Sequence, residues 1–179
     1  GDLLRLNKSF VISRSGNSKK EIYLNLLKAS EFIKNKLEDG NHVWALSTGH
    51  LIYYRNGRNG SWMRVPGGLS QITVSGDGNH VWAVNNEGKI YYRPGYISNT
   101  SSLWIQVKPI GSRLKYVSVS GDGNHIWGTN ATDQVYHRNG LNDNNWIRPE
   151  PTKARLKQVS VNSDGNIIWG VNEINQVYY

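Results

Sequence analysis

Apolar residues in this chain come in short runs divided by Gly, Asn and Asp. Leu114-Lys115-Tyr116-Val117-Ser118-Val119 alternates with period two, the pattern of a strand with one wet face. Val81-Trp82-Ala83-Val84 is apolar at consecutive positions, which predicts a strand covered on both faces. Asp-Gly-Asn turns lie between such runs. Gly and Asn accept positive φ, so each turn predicts a tight hairpin.

The runs repeat. Gly76-Asp77-Gly78-Asn79-His80-Val81-Trp82 returns as Gly121-Asp122-Gly123-Asn124-His125-Ile126-Trp127 and as Ser163-Asp164-Gly165-Asn166-Ile167-Ile168-Trp169. It is foreshadowed by Asp39-Gly40-Asn41-His42-Val43-Trp44, so the tryptophans at 44, 82, 127 and 169 stand 38, 45 and 42 residues apart. Trp62, Trp104 and Trp146 form a second series with a spacing of 42. A third closes each unit: Ile52-Tyr53-Tyr54-Arg55, Ile90-Tyr91-Tyr92-Arg93, Val135-Tyr136-His137-Arg138 and Val177-Tyr178-Tyr179. Each unit reads as four strands, the first starting at the Trp of the second series.

A lone sheet of four short strands cannot bury both faces of its apolar strand. Sheets packed between neighbours around an axis can. The expected fold is therefore all-β, a β-propeller of four-stranded antiparallel blades. Residues 41–179 supply a partial unit (41–56) and three full ones (60–93, 103–138, 145–179), giving four blades, or five if residues 1–40 are a decayed one. The strand-three tryptophans are expected in the core.

Residues 1–40 depart from the repeat. Ser18-Lys19-Lys20-Glu21 forms a capping box, and Ile22, Leu26, Ile33 and Leu37 share a face at helical spacing. A helix over 19–38 is the expectation, with residues 3–13 lending a strand to the first blade. The competing reading is a degenerate blade with strands at Phe10-Val11-Ile12-Ser13 and Glu21-Ile22-Tyr23-Leu24. The chain opens on Gly1 and stops at Tyr179, one residue before the Arg that the third series expects, as a piece of a longer precursor would.

Composition sharpens this picture. Seven Trp and 10 Tyr stand against 2 Phe, with 19 Gly and no Cys, so cross-links, thiolate metal sites and cysteine nucleophiles are excluded. No apolar run is long enough for a transmembrane helix. The net charge of +8 favours acidic partners. Asn7, Asn59, Asn99 and Asn130 fit the glycosylation acceptor pattern, a reason to favour a secreted or cell-surface setting over the cytoplasm.

Residues 41–179 closely resemble the tectonin family of propeller lectins. Trp62-Met63-Arg64-Val65-Pro66-Gly67-Gly68-Leu69, Ile72-Thr73-Val74, Val81-Trp82-Ala83-Val84-Asn85 and Ile90-Tyr91-Tyr92-Arg93 carry the likeness, with Trp127-Gly128 and Trp169-Gly170-Val171-Asn172 as its Gly variant. The resemblance implies a non-catalytic protein that binds sugars, in some members bacterial lipopolysaccharide or O-methylated glycans. Most members carry six blades, more than this chain holds at its repeat length.

The residues themselves point away from catalysis. No Ser/His/Asp set, phosphate loop or carboxylate pair stands outside the repeat, and an active site needs one asymmetric constellation. Asp77, Asp122 and Asp164 read as turn formers, since one carboxylate per turn is too few for calcium. His42, His80 and His125 fall one per blade, too far apart for zinc, and read as exposed rim residues. No cofactor or metal is expected. The expected function is a lectin with repeated sites for glycans, including anionic surface polysaccharide such as lipopolysaccharide. Its candidate ligand residues are Trp62, Trp104 and Trp146 for stacking, Arg55, Arg93 and Arg138 for charge, and Asn85, Asn130 and Asn172 for hydroxyls. The alternative is a protein-interaction scaffold without glycan binding. Nucleic acid is disfavoured because Lys and Arg are spread along the chain. An oligomer is compatible with all of this.

Overall fold

The computed structural model describes residues 42–57, 59–96, 103–107, 113–149 and 154–179, together with the strand placement of 9–14 and 22–25. Among the described residues, fifteen strands, all in antiparallel pairs, make four sheets. The first runs in the order β2-β1-β3-β4-β5, from Ile22–Asn25, Ser9–Arg14, His42–Leu46, Leu51–Asn56 and Met63–Gly68. The second is β6-β7-β8-β9, from Gln71–Val74, Val81–Val84, Ile90–Arg93 and Ile105–Val107. The third holds β10 (Leu114–Val119), β11 (His125–Asn130) and β12 (Val135–Asn139), and a bridge between His137 and Ile147 marks its outer edge. The fourth holds β13 (Gln158–Val161), β14 (Ile168–Val171) and β15 (Val177–Tyr178).

Two expectations need correction here. The helix over 19–38 is not formed at Ile22–Asn25, which is a strand paired with β1. Sheet pairing overrides the helix propensity of these residues, and Phe10, Val11 and Ile12 opposite are β-formers. Residues 15–21 and 26–41, which carry the rest of that expectation, lie outside the described residues. The second correction concerns grouping. Met63–Gly68 hydrogen-bonds to β4 and Ile105–Val107 to β8, so the segment after each second-series Trp completes the preceding sheet and does not open the next. A short connection back to the edge already available is satisfied first.

The expected loan of a strand to the first sheet is present. In β1, Ile12, Ser13 and Arg14 pair with Ala45, Trp44 and Val43. That register is the one by which Ile72, Thr73 and Val74 pair with Ala83, Trp82 and Val81.

Sheets stack face to face, as their strand pattern requires. Val81, Trp82, Ala83 and Val84 are all 0% exposed. Val81 and Ala83 join Trp44, Leu46, Ile52, Tyr54 and Val65 of the first sheet, whereas Trp82 and Val84 join Leu114, Val117, Val119 and Ile126 of the third. Alternation along one strand thus feeds two separate cores. Between the third and fourth sheets, Tyr116 and Val135 meet Val159, with Trp127, Leu156 and Ile168 packed alongside.

Two further devices recur at each seam. Leu69, Leu114 and Leu156 donate their backbone N–H to the carbonyls of His50, Gly88 and Asp133 in the sheet before, at 3.0, 3.1 and 2.8 Å. A Cβ on Gly78, Gly123 or Gly165 would stand 2.4, 2.3 or 2.2 Å from the imidazole of His42, His80 or His125, so each histidine lies over the turn of the next sheet. These histidines are half-buried seam residues and not the exposed rim residues expected from sequence. The sequence pattern hid this because the glycine each ring covers sits a full repeat away. Within the turns, Asp77 accepts from Ser75 Oγ and from the backbone and side chain of Asn79, and Asp122 does the same with Ser120 and Asn124. The aspartates are turn formers.

Candidate functional site

The nine candidate ligand residues separate into two environments. Arg93 is 0% exposed and Arg138 3%. The Arg93 guanidinium lies 5.7 Å from the Trp44 ring of the preceding sheet and 5.6 Å from Trp104 of its own. Arg138 lies 5.6 Å from Trp82 and 5.8 Å from Trp146 in the same relation. Each is clamped between two indoles, where cation–π attraction gains from desolvation. Their Nε groups donate to the Gly95 and Gly140 carbonyls at 3.1 and 2.8 Å. Burial pushes both guanidinium groups down from their ordinary range, yet arginine stays charged. Arg93, Arg138 and the buried Trp146 are therefore spent on joining sheets, and Trp104 is partly buried beside them.

The first sheet has only half of this arrangement. Arg55 lies 5.7 Å from Trp62, which is 40% exposed, and its Nε has no hydrogen-bond partner among the described residues.

Asn85, Asn130 and Asn172 stand at one rim, at the turn between the second and third strands of the second, third and fourth sheets. Asn85 Oδ1 accepts from the N–H of Glu87 and Lys89, Asn130 Oδ1 from Thr132 and Gln134, and Asn172 Oδ1 from Ile174 and Gln176. Such Asx turns fix the side chain without consuming its amide. In the third sheet Asn130 Nδ2 then donates to Gln134 Oε1 at 2.7 Å, and the Tyr136 hydroxyl donates to the same oxygen at 3.3 Å. In the fourth, Asn172 Nδ2 and the Tyr178 hydroxyl both donate to Gln176 Oε1, at 2.9 Å each. With its oxygen accepting twice, each glutamine has only its carboxamide N–H groups left to offer.

Basic side chains flank these relays. Within the third sheet Lys115 pairs with Asp133, within the fourth Lys157 donates to Asn175 Oδ1 at 2.5 Å, and Arg155 reaches from the fourth sheet to the Thr132 carbonyl of the third at 3.2 Å. With Lys89 and the exposed Arg113, this rim carries five cations against the carboxylates of Glu87, Asp133 and Glu173 among the described residues. Gln134, Gln176, Lys115 and Lys157 were not singled out by sequence reasoning. Their signal was the spacing Asn-x-x-x-Gln-x-Tyr, present at 130–136 and 172–178. Of the glycosylation acceptors, Asn59 is exposed, Asn130 has its amide nitrogen engaged with Gln134, and Asn7 and Asn99 lie outside the described residues.

The tectonin-domain profile matches residues 37–179. The chain belongs to the tectonin family. No curated protein matches this tectonin chain in sequence. Among solved structures, it is similar to the β-propeller domain of Myceliophteria thermophila Cps50 (Swd1), with 12% identity and a TM-score of 0.55 over 76% of this chain and 48% of that one. It is also similar to Kuenenia stuttgartiensis hydrazine synthase, with 14% identity and a TM-score of 0.57 over 75% of this chain and 40% of that one. These two likenesses concern the fold, and the tectonin chain spans less than half the length of either neighbour. Among the described residues, no helix is long and apolar enough to cross a membrane.

Proposed function

We propose that this tectonin chain is a non-catalytic lectin that binds anionic glycans of cell or microbial surfaces, lipopolysaccharide among them, in a secreted or cell-surface setting. One observation carries the reading. The same Asn–Gln–Tyr relay stands on the third and fourth sheets, each with unspent carboxamide N–H groups and cations alongside. Sugar hydroxyls and carboxylate or phosphate groups accept from such donors, and fixed donors lose little entropy on binding. Asn85 with Lys89 and Tyr91 repeats the position on the second sheet with a cation in place of the glutamine. A single shallow site of this kind binds at about millimolar, roughly 4 kcal/mol. Copies on successive sheets raise apparent affinity on dense glycan by avidity.

A glycan array with free-sugar competition tests this. The double substitution Gln134→Ala with Gln176→Ala is expected to lower binding to immobilised anionic glycan at least tenfold, about 1.4 kcal/mol, while the far-ultraviolet spectrum is unchanged. Absence of glycan binding by the parent chain, together with specific capture of a protein partner, overturns the lectin reading in favour of a scaffold.

A further inference from the structure

We infer that the seam between the third and fourth sheets is a pH-sensitive joint, held by the imidazole pair of His125 and His137 and released in acid.

At each described seam a histidine lies over the glycine of the next turn and leans on a ring of its own sheet. His42 meets the Tyr54 hydroxyl through Nδ1 at 2.8 Å, and His80 meets that of Tyr92 at 3.1 Å. In the third sheet the supporting ring is an imidazole instead. His125 Nδ1 lies 3.4 Å from His137 Nε2, with the rings 15° from parallel and their centroids 5.6 Å apart.

Replacing a phenol by an imidazole changes what protonation does. A tyrosine hydroxyl both donates and accepts, so it partners a neutral imidazole or an imidazolium equally. Two imidazoles share one N–H between them while neutral or singly charged. A second proton leaves no acceptor and sets two positive charges at contact distance. The charged groups around the pair do not cancel this. Asp122 in the turn before His125 and Asp164 in the turn beneath it are exposed, so water screens them. Asp143, after β12, is held by the N–H groups of Asn139 and Asn145, and Arg148, beside the bridging Ile147, adds a cation. Burial and then His125 hold the His137 imidazole below its ordinary value, with Asp143 opposing but not outweighing them. The unfolded chain accepts both protons near the ordinary value of about 6.5. The contribution of the pair is therefore complete above that pH and is lost as pH falls through the lower folded value.

The position of the pair ties this charge to the seam. His125 covers Gly165 of the fourth sheet, where a Cβ would stand 2.2 Å from its ring. His137 rests on Trp127 at 4.5 Å, and Trp127 packs with Leu156 and Ile168 on the core that joins the two sheets. Rings that repel move off the turn on one side or off this indole on the other. The relays of Gln134 and Gln176 stand on either side of the joint. On the lectin reading, on which this consequence alone rests, acid frees one copy from the other and lowers avidity.

Hydrogen exchange of the full chain at pH 7.5 and 5, expressed as protection against the intrinsic rate at each pH, tests the inference. The N–H of Leu156, bonded to the Asp133 carbonyl at 2.8 Å, and that of Val161, bonded to Ser118 Oγ at 3.2 Å, cross this seam, whereas Leu114 crosses the one before. Protection of Leu156 and Val161 relative to Leu114 is expected to fall roughly tenfold on acidification, the change that one pKa unit of linkage carries. His137→Tyr gives the third sheet the residue that the first two carry, and there the ratio is expected to stay constant. A constant ratio in the parent chain overturns the inference, as does an equal fall in His137→Tyr. If that variant does not fold, nuclear magnetic resonance titration of the two parent imidazoles decides. Separate steps, the second coinciding with lost protection, support the joint; a single shared step overturns it. Exchange is read without glycan, so its outcome stands whatever becomes of the lectin reading.

Discussion

Trp82 and Trp62 are the same residue type in the same repeat, and their surroundings decide what each does. Trp82 is 0% exposed, with the third sheet on its face and Arg138 over its ring. Trp62 is 40% exposed and touches one arginine. Trp82→Ala is expected to cost about 3–5 kcal/mol, the range for a large buried aromatic, and Trp62→Ala about 1 kcal/mol or less. Urea unfolding of the two variants checks the ordering. Glycine supplies a second contrast. Gly78 has φ 77° with the His42 ring where a Cβ would go, whereas Gly57 has φ 61° with open space around it. Gly78→Ala adds a clash to the cost of a left-handed residue, about 1–2 kcal/mol. It is expected to destabilise measurably more than Gly57→Ala, and equal midpoints in urea would contradict the seam geometry.

At the scale of the elements, His42 and His137 make stability depend on pH. Nδ1 of His42 shares a hydrogen bond with the Tyr54 hydroxyl at 2.8 Å. Burial holds the His42 imidazole below its ordinary value, partly opposed by Asp77, and burial with His125 nearby holds His137 down. The unfolded chain therefore takes up these protons first as pH falls. Their contribution is complete above the ordinary histidine pKa of about 6.5 and is lost as pH drops through the depressed folded values. Asp77 and Asp122 extend the loss. Burial raises each carboxyl, but hydrogen bonds from Ser75 and Asn79, or Ser120 and Asn124, outweigh it and hold both below the usual range. Their stabilisation is present above about pH 4 and disappears on further acidification. The urea midpoint is expected to fall from pH 7.5 to 5 and again below 4; a flat profile contradicts the half-buried, neutral state of His42 and His137.

Elements also show where sequence was legible. The consecutive apolar residues of Val81-Trp82-Ala83-Val84 announced a strand with two covered faces, and the sheets on either side cover it. Strand grouping was not legible, because the repeat reads alike whether Met63–Gly68 is counted with the strands before it or after it. Only the hydrogen bonds to Leu51–Asn56 decide. Ile22–Asn25 misled because Leu, Lys and Ala around it favour helix locally, while its pairing with Ser9–Arg14 is a tertiary choice.

The whole molecule is an arc of sheets, each of which shelters the aromatic strand of its neighbour. Recurrence made the candidate site partly legible: Asn85, Asn130 and Asn172 do stand at one rim. Recurrence alone could not separate a ligand residue from cement, since Arg93 and Arg138 repeat because the seams repeat. Mutual dependence of the sheets is the central claim, and native-state hydrogen exchange reads it directly. The N–H of Leu114, bonded to Gly88, and the N–H of Val117, bonded to Gln71 Oε1 at 2.9 Å, cross from one sheet to the next. Both are predicted to exchange only with global unfolding, as slowly as the amides within Val81–Val84. Rapid exchange at Leu114 and Val117 while the amides of Val81–Val84 stay protected would mean that the sheets do not hold one another.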